Sequence, residues 1–257
     1  MKISKTIKGI IYAFAGVLMV ISCRQEEEIF PQVSSPKTVA EITADNEELS
    51  VLSQALNKVR LDSVLSTGAT FTLFAPENNA FSGIDIDGLS EDALTNVLLN
   101  HVRSTVSAEF TRSMSTGYSN SMATGPEDLN LSIFTQVTDS RIIINGDTIS
   151  SDMNDLGGTN GVVHVMEGVL LLPSVASHIS YNPDYSMLNQ AIEKAGLVTA
   201  LSSNDDVFTI LAPNNAAFEK FLMDVNGAFG WSSINEIPND VLEEVLLFHV
   251  VACANVV

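Results

Sequence analysis

The chain has 257 residues, room for one large domain or two of ordinary size, and at 46% hydrophobic it can bury a sizeable core. Its 31 acidic residues outnumber 12 basic ones, for a formal charge of −19, and such a surface repels nucleic acid and anionic lipid alike. Two cysteines do not make a disulfide framework.

Lys2, Lys5 and Lys8 open a charged segment, and residues 9–21 (GIIYAFAGVLMVI) form an apolar run shorter than a membrane span. Val20-Ile21-Ser22-Cys23 follows at once and resembles a bacterial lipobox. The resemblance implies that residues 1–22 are a lipoprotein signal peptide and that Cys23 becomes an acylated N-terminus. Each buried CH₂ contributes about 0.8 kcal/mol, so two or three acyl chains anchor durably where one does not. The acidic tract at 26–28, just after Arg24 and Gln25, is similar to signals that place lipoproteins on the outward face of a Gram-negative outer membrane. Residues 23–37, with Pro31, Ser34, Ser35 and Pro36, read as a polar tether. With lipid on Cys23, Cys253 has no disulfide partner, and its apolar setting (FHVVACANVV) makes it a small buried hydrophobe.

Leu49, Leu52, Ala55, Leu56 and Val59 fall on one face of a helix. SVLSQALNKVRLDSVLS (residues 50–66) recurs as SMLNQAIEKAGLVTALS (residues 186–202). FTLFAPENNAF (residues 71–81) predicts a buried strand, stopped by Pro76 and followed by a helical turn with Asn78 as cap or Asx-turn residue. FTILAPNNAAF (residues 208–218) repeats it, with Asn215 in the place of Asn78. Phe81 and Phe218 are expected to fold each turn back on its core. Leu94, Val97, Leu98 and His101 share a helix face, and Leu242, Val245, Leu246 and His249 repeat it. The second copy carries an insertion between these blocks, in the stretch that holds Trp231.

The first copy then turns strand-rich. Residues 129–136 and 141–144 alternate, with the turn signal Asn145-Gly146. TNGVVHVMEGVLLLP (residues 159–173) sets Val163 and Val165 on one face and Val162, His164 and Met166 on the other. Gly168 suits a bulge or bend between two strand halves, and Pro173 ends the domain. After its helix the second copy shows only a short apolar strand. Either the sequence is a piece of a longer protein, the preferred reading, or a partner strand completes the copy by β-addition.

These blocks resemble the fasciclin (FAS1) domain family. Thr72, Phe74, Ala75, Pro76, Asn78, Ala80 and Phe81 match its first motif. Thr209, Ala212, Pro213, Asn215, Ala217 and Phe218 match it again, with Leu211 in place of Phe74. Asn160, Gly161, Val162, Val163, His164 and Val165, then Gly168, Val169, Leu170 and Pro173, match the second motif. The family's Tyr-His pair keeps its histidine as His101 and His249, but the tyrosine is replaced by Asn100 and Phe248. The resemblance implies a mixed α/β (α+β) fold, a wedge-like β-sandwich flanked by helices. It implies two tandem copies, at 38–174 and 178–257, the second lacking its C-terminal strands. It also implies adhesion or protein interaction without a cofactor. The missing tyrosine weakens any carry-over of a Tyr-His adhesion motif.

His101 and His249 sit on apolar stripes and read as core histidines bonded to backbone. His164 reads as a structural strand residue and His178 as exposed between the copies. Asp85, Asp87, Glu91 and Asp92 begin a calcium-like spacing, but Gly88 follows too soon. Residues 145–147 and 152–155 read as turns. No HExxH, CxxC, GxSxG or phosphate-loop pattern is present. The expectation is a lipid-anchored protein of the cell envelope, neither an enzyme nor a metal or cofactor carrier, that contacts a surface protein or matrix component. The alternative is a carbohydrate-binding accessory of a surface glycan system, with a polysaccharide partner and Trp231, Tyr118, Tyr181 and Tyr185 as its aromatic candidates.

Overall fold

The computed structural model describes residues 37–203 and 207–252. The signal peptide, the Cys23 anchor, most of the tether and Cys253 lie outside the described residues. Among the described residues no helix is long and apolar enough to cross a membrane.

The chain enters through α1 (Val39–Asp45), started by a capping box. The Thr38 hydroxyl accepts from the Glu41 N–H at 3.3 Å, and the Glu41 carboxylate accepts from the Thr38 N–H at 2.7 Å. Asn46 caps a single 3₁₀ turn, which leads into α2 (Ser50–Lys58). Arg60 then adopts a left-handed conformation (φ 59°), and α3 (Leu61–Leu65) leaves in a new direction. The apolar face from Leu49 to Val59 thus belongs to a helix that stops at Lys58, because the left-handed Arg60 ends the α-helical ladder.

β1 (Phe71–Pro76) comes next, buried along its whole length. α4 (Glu91–Leu99), capped by Ser90, leads into β2 (Val102–Ser104). β3 (Gly117–Thr124), β4 (Asn130–Val137), β5 (Ile142–Ile144) and β6 (Asp147–Thr148) form one antiparallel sheet in that order. β7 (Leu156–Gly158) and β8 (Gly161–Met166) join the first sheet, whose order is β2-β1-β8-β7. β1 and β8 run parallel, from Phe71 opposite Gly161 to Pro76 opposite Met166.

Both faces of this central pair are covered. Phe71, Leu73, Ala75, Val163 and Val165 meet the helical layer of α1 to α4. Phe74 and Met166 face Ile133, Ile144 and Ile149 of the second sheet and its exit loop. The first copy is therefore helices on a sheet on a sheet. The mixed α/β sandwich expected from the family resemblance is the fold observed.

Two local expectations differ. β3 was not anticipated, because GYSNSMAT offers no apolar alternation; it is held by pairing with β4. Strand structure also ends at Met166, so Gly168 does not join two strand halves. Residues beyond it leave the sheet, although Leu170 is buried.

The second copy repeats the entry. Ser174 caps α5 (Val175–Tyr181), and Asn182 caps the turn that leads into α6 (Ser186–Lys194). Gly196 takes the left-handed position (φ 73°) that Arg60 holds in the first copy, before α7 (Val198–Leu201). Leu188, Ala191, Ile192 and Leu201 fill a separate core with Ala176 and Ile179 of α5. The boundary expected at 178 falls inside α5. β9 (Phe208–Ile210), α8 (Asn215–Phe229), α9 (Asn239–Leu247) and β10 (Val250–Ala252) complete the described chain. The insertion near Trp231 is α8 itself, a full helix where the first copy has one 3₁₀ turn.

Arg60 is exposed and strained where the second copy uses glycine, so Arg60→Gly is expected to raise unfolding free energy by about 1 kcal/mol in urea titrations. Gly161 (φ 150°) lies against β1, and a Cβ there would sit 2.0 Å from the Phe71 carbonyl oxygen. Gly161→Ala is expected to cost more than ~3 kcal/mol in the same assay, and a cost below ~1 kcal/mol contradicts that packing.

Candidate functional site

The motif residues cluster where β1, β8 and the end of α4 meet. Asn160, just before β8, is buried and spends its amide on three distant partners. Its Oδ1 accepts from the Val39 N–H at 2.8 Å, and its Nδ2 donates to the carbonyls of Leu65 (2.7 Å) and Thr67 (2.8 Å). It therefore holds the start of α1 and the end of α3 to the sheet. The Thr72 hydroxyl accepts from the Glu109 N–H at 3.2 Å. Phe74 is fully buried and stacks on the His164 ring, centroids 5.9 Å apart.

Asn78 does not cap the turn that it begins. Its Oδ1 accepts from the Val51 N–H at 2.9 Å, and its Nδ2 donates to the Glu47 carbonyl at 2.8 Å. Asn215 does the same for the Met187 N–H (2.9 Å) and the Pro183 carbonyl (3.0 Å). Each asparagine supplies from afar the cap that α2 and α6 lack locally. The residue that caps α8 is Asn214. Sequence reasoning placed the asparagines correctly within the repeat but gave their side chains a local partner. Phe81 is half-buried against the first core, and Phe218 is buried in the second.

The histidines are fixed by backbone groups. His101 donates from Nδ1 to the Val97 carbonyl (2.8 Å), so its Nε2 is an acceptor and takes the Leu170 N–H at 2.8 Å. Asn100, buried beside it, donates to the carbonyls of Leu170 (3.1 Å) and Leu171 (3.0 Å). Burial pushes the His101 ring down to about 4. His164 accepts the Asp155 N–H at Nδ1 (3.2 Å) and donates from Nε2 to the Glu109 carbonyl (2.8 Å). That tautomer is neutral, burial holds it below its ordinary value, and the nearby Asp155 carboxylate is therefore not its ion-pair partner at neutral pH. Asp155 instead accepts from the Thr111 N–H (2.7 Å) and hydroxyl (2.6 Å). His178 is largely buried rather than exposed: it sits edge-on to Tyr118 and Tyr181, and burial lowers its pKa.

In the second copy, Thr209 lies within a strand shorter than β1, and Pro213 follows it. The Leu211 N–H donates to the His249 carbonyl at 2.9 Å, as the Phe74 N–H does to that of His101. His249 likewise donates from Nδ1 to the Val245 carbonyl at 2.8 Å.

The acidic cluster is engaged locally. Asp85 accepts the Gly88 N–H at 3.0 Å, Asp87 pairs with Lys58 at 3.0 Å, and Glu91 and Asp92 lie in the first turn of α4. Among the described residues no group of acids, histidines and cysteines is gathered as for a metal ion. Of the aromatic candidates, Tyr118 leans on Phe134 and takes an amide bond from Asn182, Tyr185 packs on the second core, and Trp231 stacks on Phe229. A broad cleft of about 640 Å³ opens beside β5 and β6, with Arg112, Arg141, Asn154 and Glu167 on its walls.

The model of the fasciclin domain matches residues 47–173 and again residues 183–256. Protein sll1483 of Synechocystis sp. is 32% identical over 147 residues, 54% of this chain and 76% of that protein. Mouse Stabilin-2 is 26% identical over 79% of this chain, and human Periostin 32% identical over 59%. The chain spans only 8% of Stabilin-2 and 18% of Periostin. A solved FAS1 domain pair from the insect cell adhesion molecule fasciclin I is similar at a TM-score of 0.49 and 17% identity, over 80% of this chain and 73% of that one.

The buried histidines make stability depend on pH. Below the ordinary histidine value of 6.5 the unfolded chain takes up a proton that folded His101 refuses until about pH 4. Stability present above pH 6.5 is therefore lost as pH falls toward 4, by up to ~3 kcal/mol from this ring. His164 and His178 act in the same direction. Urea midpoints measured across that window should fall with pH, and less steeply in His101→Gln; an equal slope in the variant removes His101 as a cause.

Proposed function

The chain belongs to the fasciclin family, and on that premise we propose that it is a lipid-anchored surface protein whose fasciclin units mediate adhesion or protein–protein contact at the cell envelope. Domains of this family are associated with cell adhesion and protein interaction. The observation that carries the reading is the twofold match to the family model, which covers most of the chain. The first-copy motif side chains support it too. Asn78, His101, Asn160 and His164 spend their polar atoms on internal backbone groups, so the work falls to surface complementarity rather than to chemistry.

The anchor rests on Val20-Ile21-Ser22-Cys23 and the outward orientation on the acidic tract that follows. The chain is read as tether 23–37, then one unit beginning at 38 and a second beginning with the Ser174 cap of α5. The excess of acidic over basic residues keeps these units off the anionic membrane surface and in solvent. The partner is a surface protein or matrix component.

Two measurements test the proposal. Cys23→Ala should move the protein from the membrane fraction to the soluble one, and retention in the membrane contradicts a lipid anchor. Deleting residues 38–257 while keeping the anchor should abolish binding of the cells to a partner cell or matrix. Unchanged binding contradicts adhesion by these domains.

A further inference from the structure

The cleft of about 640 Å³ beside β5 and β6 lies wholly within the first copy. Its volume falls in the range of small-ligand sites, about 300–1,000 Å³. Its charge sets it apart from the rest of this acidic chain. Lys37, Lys58, Arg103 and Lys220 are each spent on a carboxylate elsewhere, and Lys194 on three backbone carbonyls. Arg112 and Arg141 both stand on the walls of this one cleft.

The backbone beneath each arginine is fixed. The Arg141 N–H donates to the Thr138 hydroxyl at 3.1 Å, and its carbonyl accepts the Thr138 N–H at 3.0 Å. Arg141 is exposed, and among the described residues no carboxylate pairs with it. Thr111 is tied to Asp155, and the Arg112 guanidinium lies over the Phe110 ring, 4.8 Å from its centroid. A guanidinium so placed takes a carboxylate through two parallel N–H bonds. The cleft is not simply cationic, because Glu167 is on its wall as well. That carboxylate opposes a dense anion such as phosphate but accepts from hydroxyl donors. Ser140 and Thr148 add hydroxyls, and Ile142 and Ile149 add apolar surface.

The backbone around the cleft is already paired. Ile149 donates to Ile142 at 3.0 Å, Ser150 to Val165 at 2.8 Å and Glu167 to Thr148 at 3.1 Å. These bonds close the edge of β6 against the end of β8, so an extended peptide finds no strand edge there to join. Recognition falls to side chains, which suits a compact ligand rich in hydroxyls.

We propose that this cleft binds a carboxylate-bearing saccharide, a short run of uronate units. Arg112 and Arg141 hold a carboxylate, Glu167 and the wall hydroxyls pair with ring hydroxyls, and the isoleucines underlie a C–H face of the sugar. None of Trp231, Tyr118, Tyr181 and Tyr185 lines this cleft, so the site is separate from the chain's aromatic candidates. The inference does not rest on the adhesion proposal: saccharide binding and cell binding are read separately, and either can fail alone.

The test is calorimetric titration of trigalacturonate into the full-length protein, with its methyl ester and a tetraglutamate peptide as controls. Saturable one-to-one binding is expected for the acid and none for the ester. Arg141→Gln and Arg112→Gln should each weaken it at least tenfold. Glu167→Ala should weaken it several-fold, whereas general attraction of anions would grow stronger on losing that charge. Arg141 and Glu167 are exposed, so urea midpoints of their variants should match the parent and separate lost binding from lost folding. No binding, equal binding of the ester, unchanged affinity in both arginine variants, or tighter binding in Glu167→Ala overturns the proposal. Tetraglutamate binding as tightly as the saccharide overturns the assignment to a sugar in favour of an acidic peptide.

Discussion

Parallel strands cannot be joined by a tight turn, so a chain that pairs them must spend a long excursion between the two. In the first copy that excursion holds α4, β2 and the whole second sheet. The pairing of β1 with β8 therefore decides which elements lie on which face. It needs a backbone approach that only glycine allows at position 161, with the Phe71 carbonyl directly overhead. It also needs the helical layer held in place, and Asn160 does that with one side chain reaching both ends of the layer. A backbone constraint and a polar staple sit on adjacent residues because they serve the same closure.

The two histidines show how one device yields different outcomes. Each ring is set by the carbonyl four residues before it, which fixes the tautomer and presents a lone pair in a known direction. In the first copy the lone pair is used at once and the ring is sealed from solvent. In the second it faces an apolar cleft. The residue before each histidine differs as well: Asn100 donates to the carbonyls of Leu170 and Leu171, while its counterpart Phe248 is exposed.

Much of the fold was legible because the chain states its helical layer twice. The paired apolar positions Leu52 and Leu188, Ala55 and Ala191, Leu56 and Ile192, and Leu65 and Leu201 are buried in both copies. What escaped was what periodicity does not encode. The break at Arg60 is a single backbone conformation, signalled only by the glycine at its counterpart, Gly196. The caps Thr38 and Ser174, and Asn46 and Asn182, repeat at the same interval as the helices and could have set the second unit's start at 174 rather than 178. β3 carries no alternating pattern because its stability comes from a neighbour. Asn78 and Asn215 were recognised as caps, but the helices they cap lie far back in the chain, and a spacing rule looks forward only a few residues.

The strand order also sets a timetable. β8 is the last strand of its unit in sequence and the middle one in space, and α1, the first helix, has its leading N–H bonded to Asn160. Contacts this distant must wait for loop closure before they return any free energy. Any process that threads the chain from its N-terminus delivers α1 to α4 and β1 before their floor exists. The edge of β1 that β8 covers therefore stays unpaired until residues 161–166 are available to it.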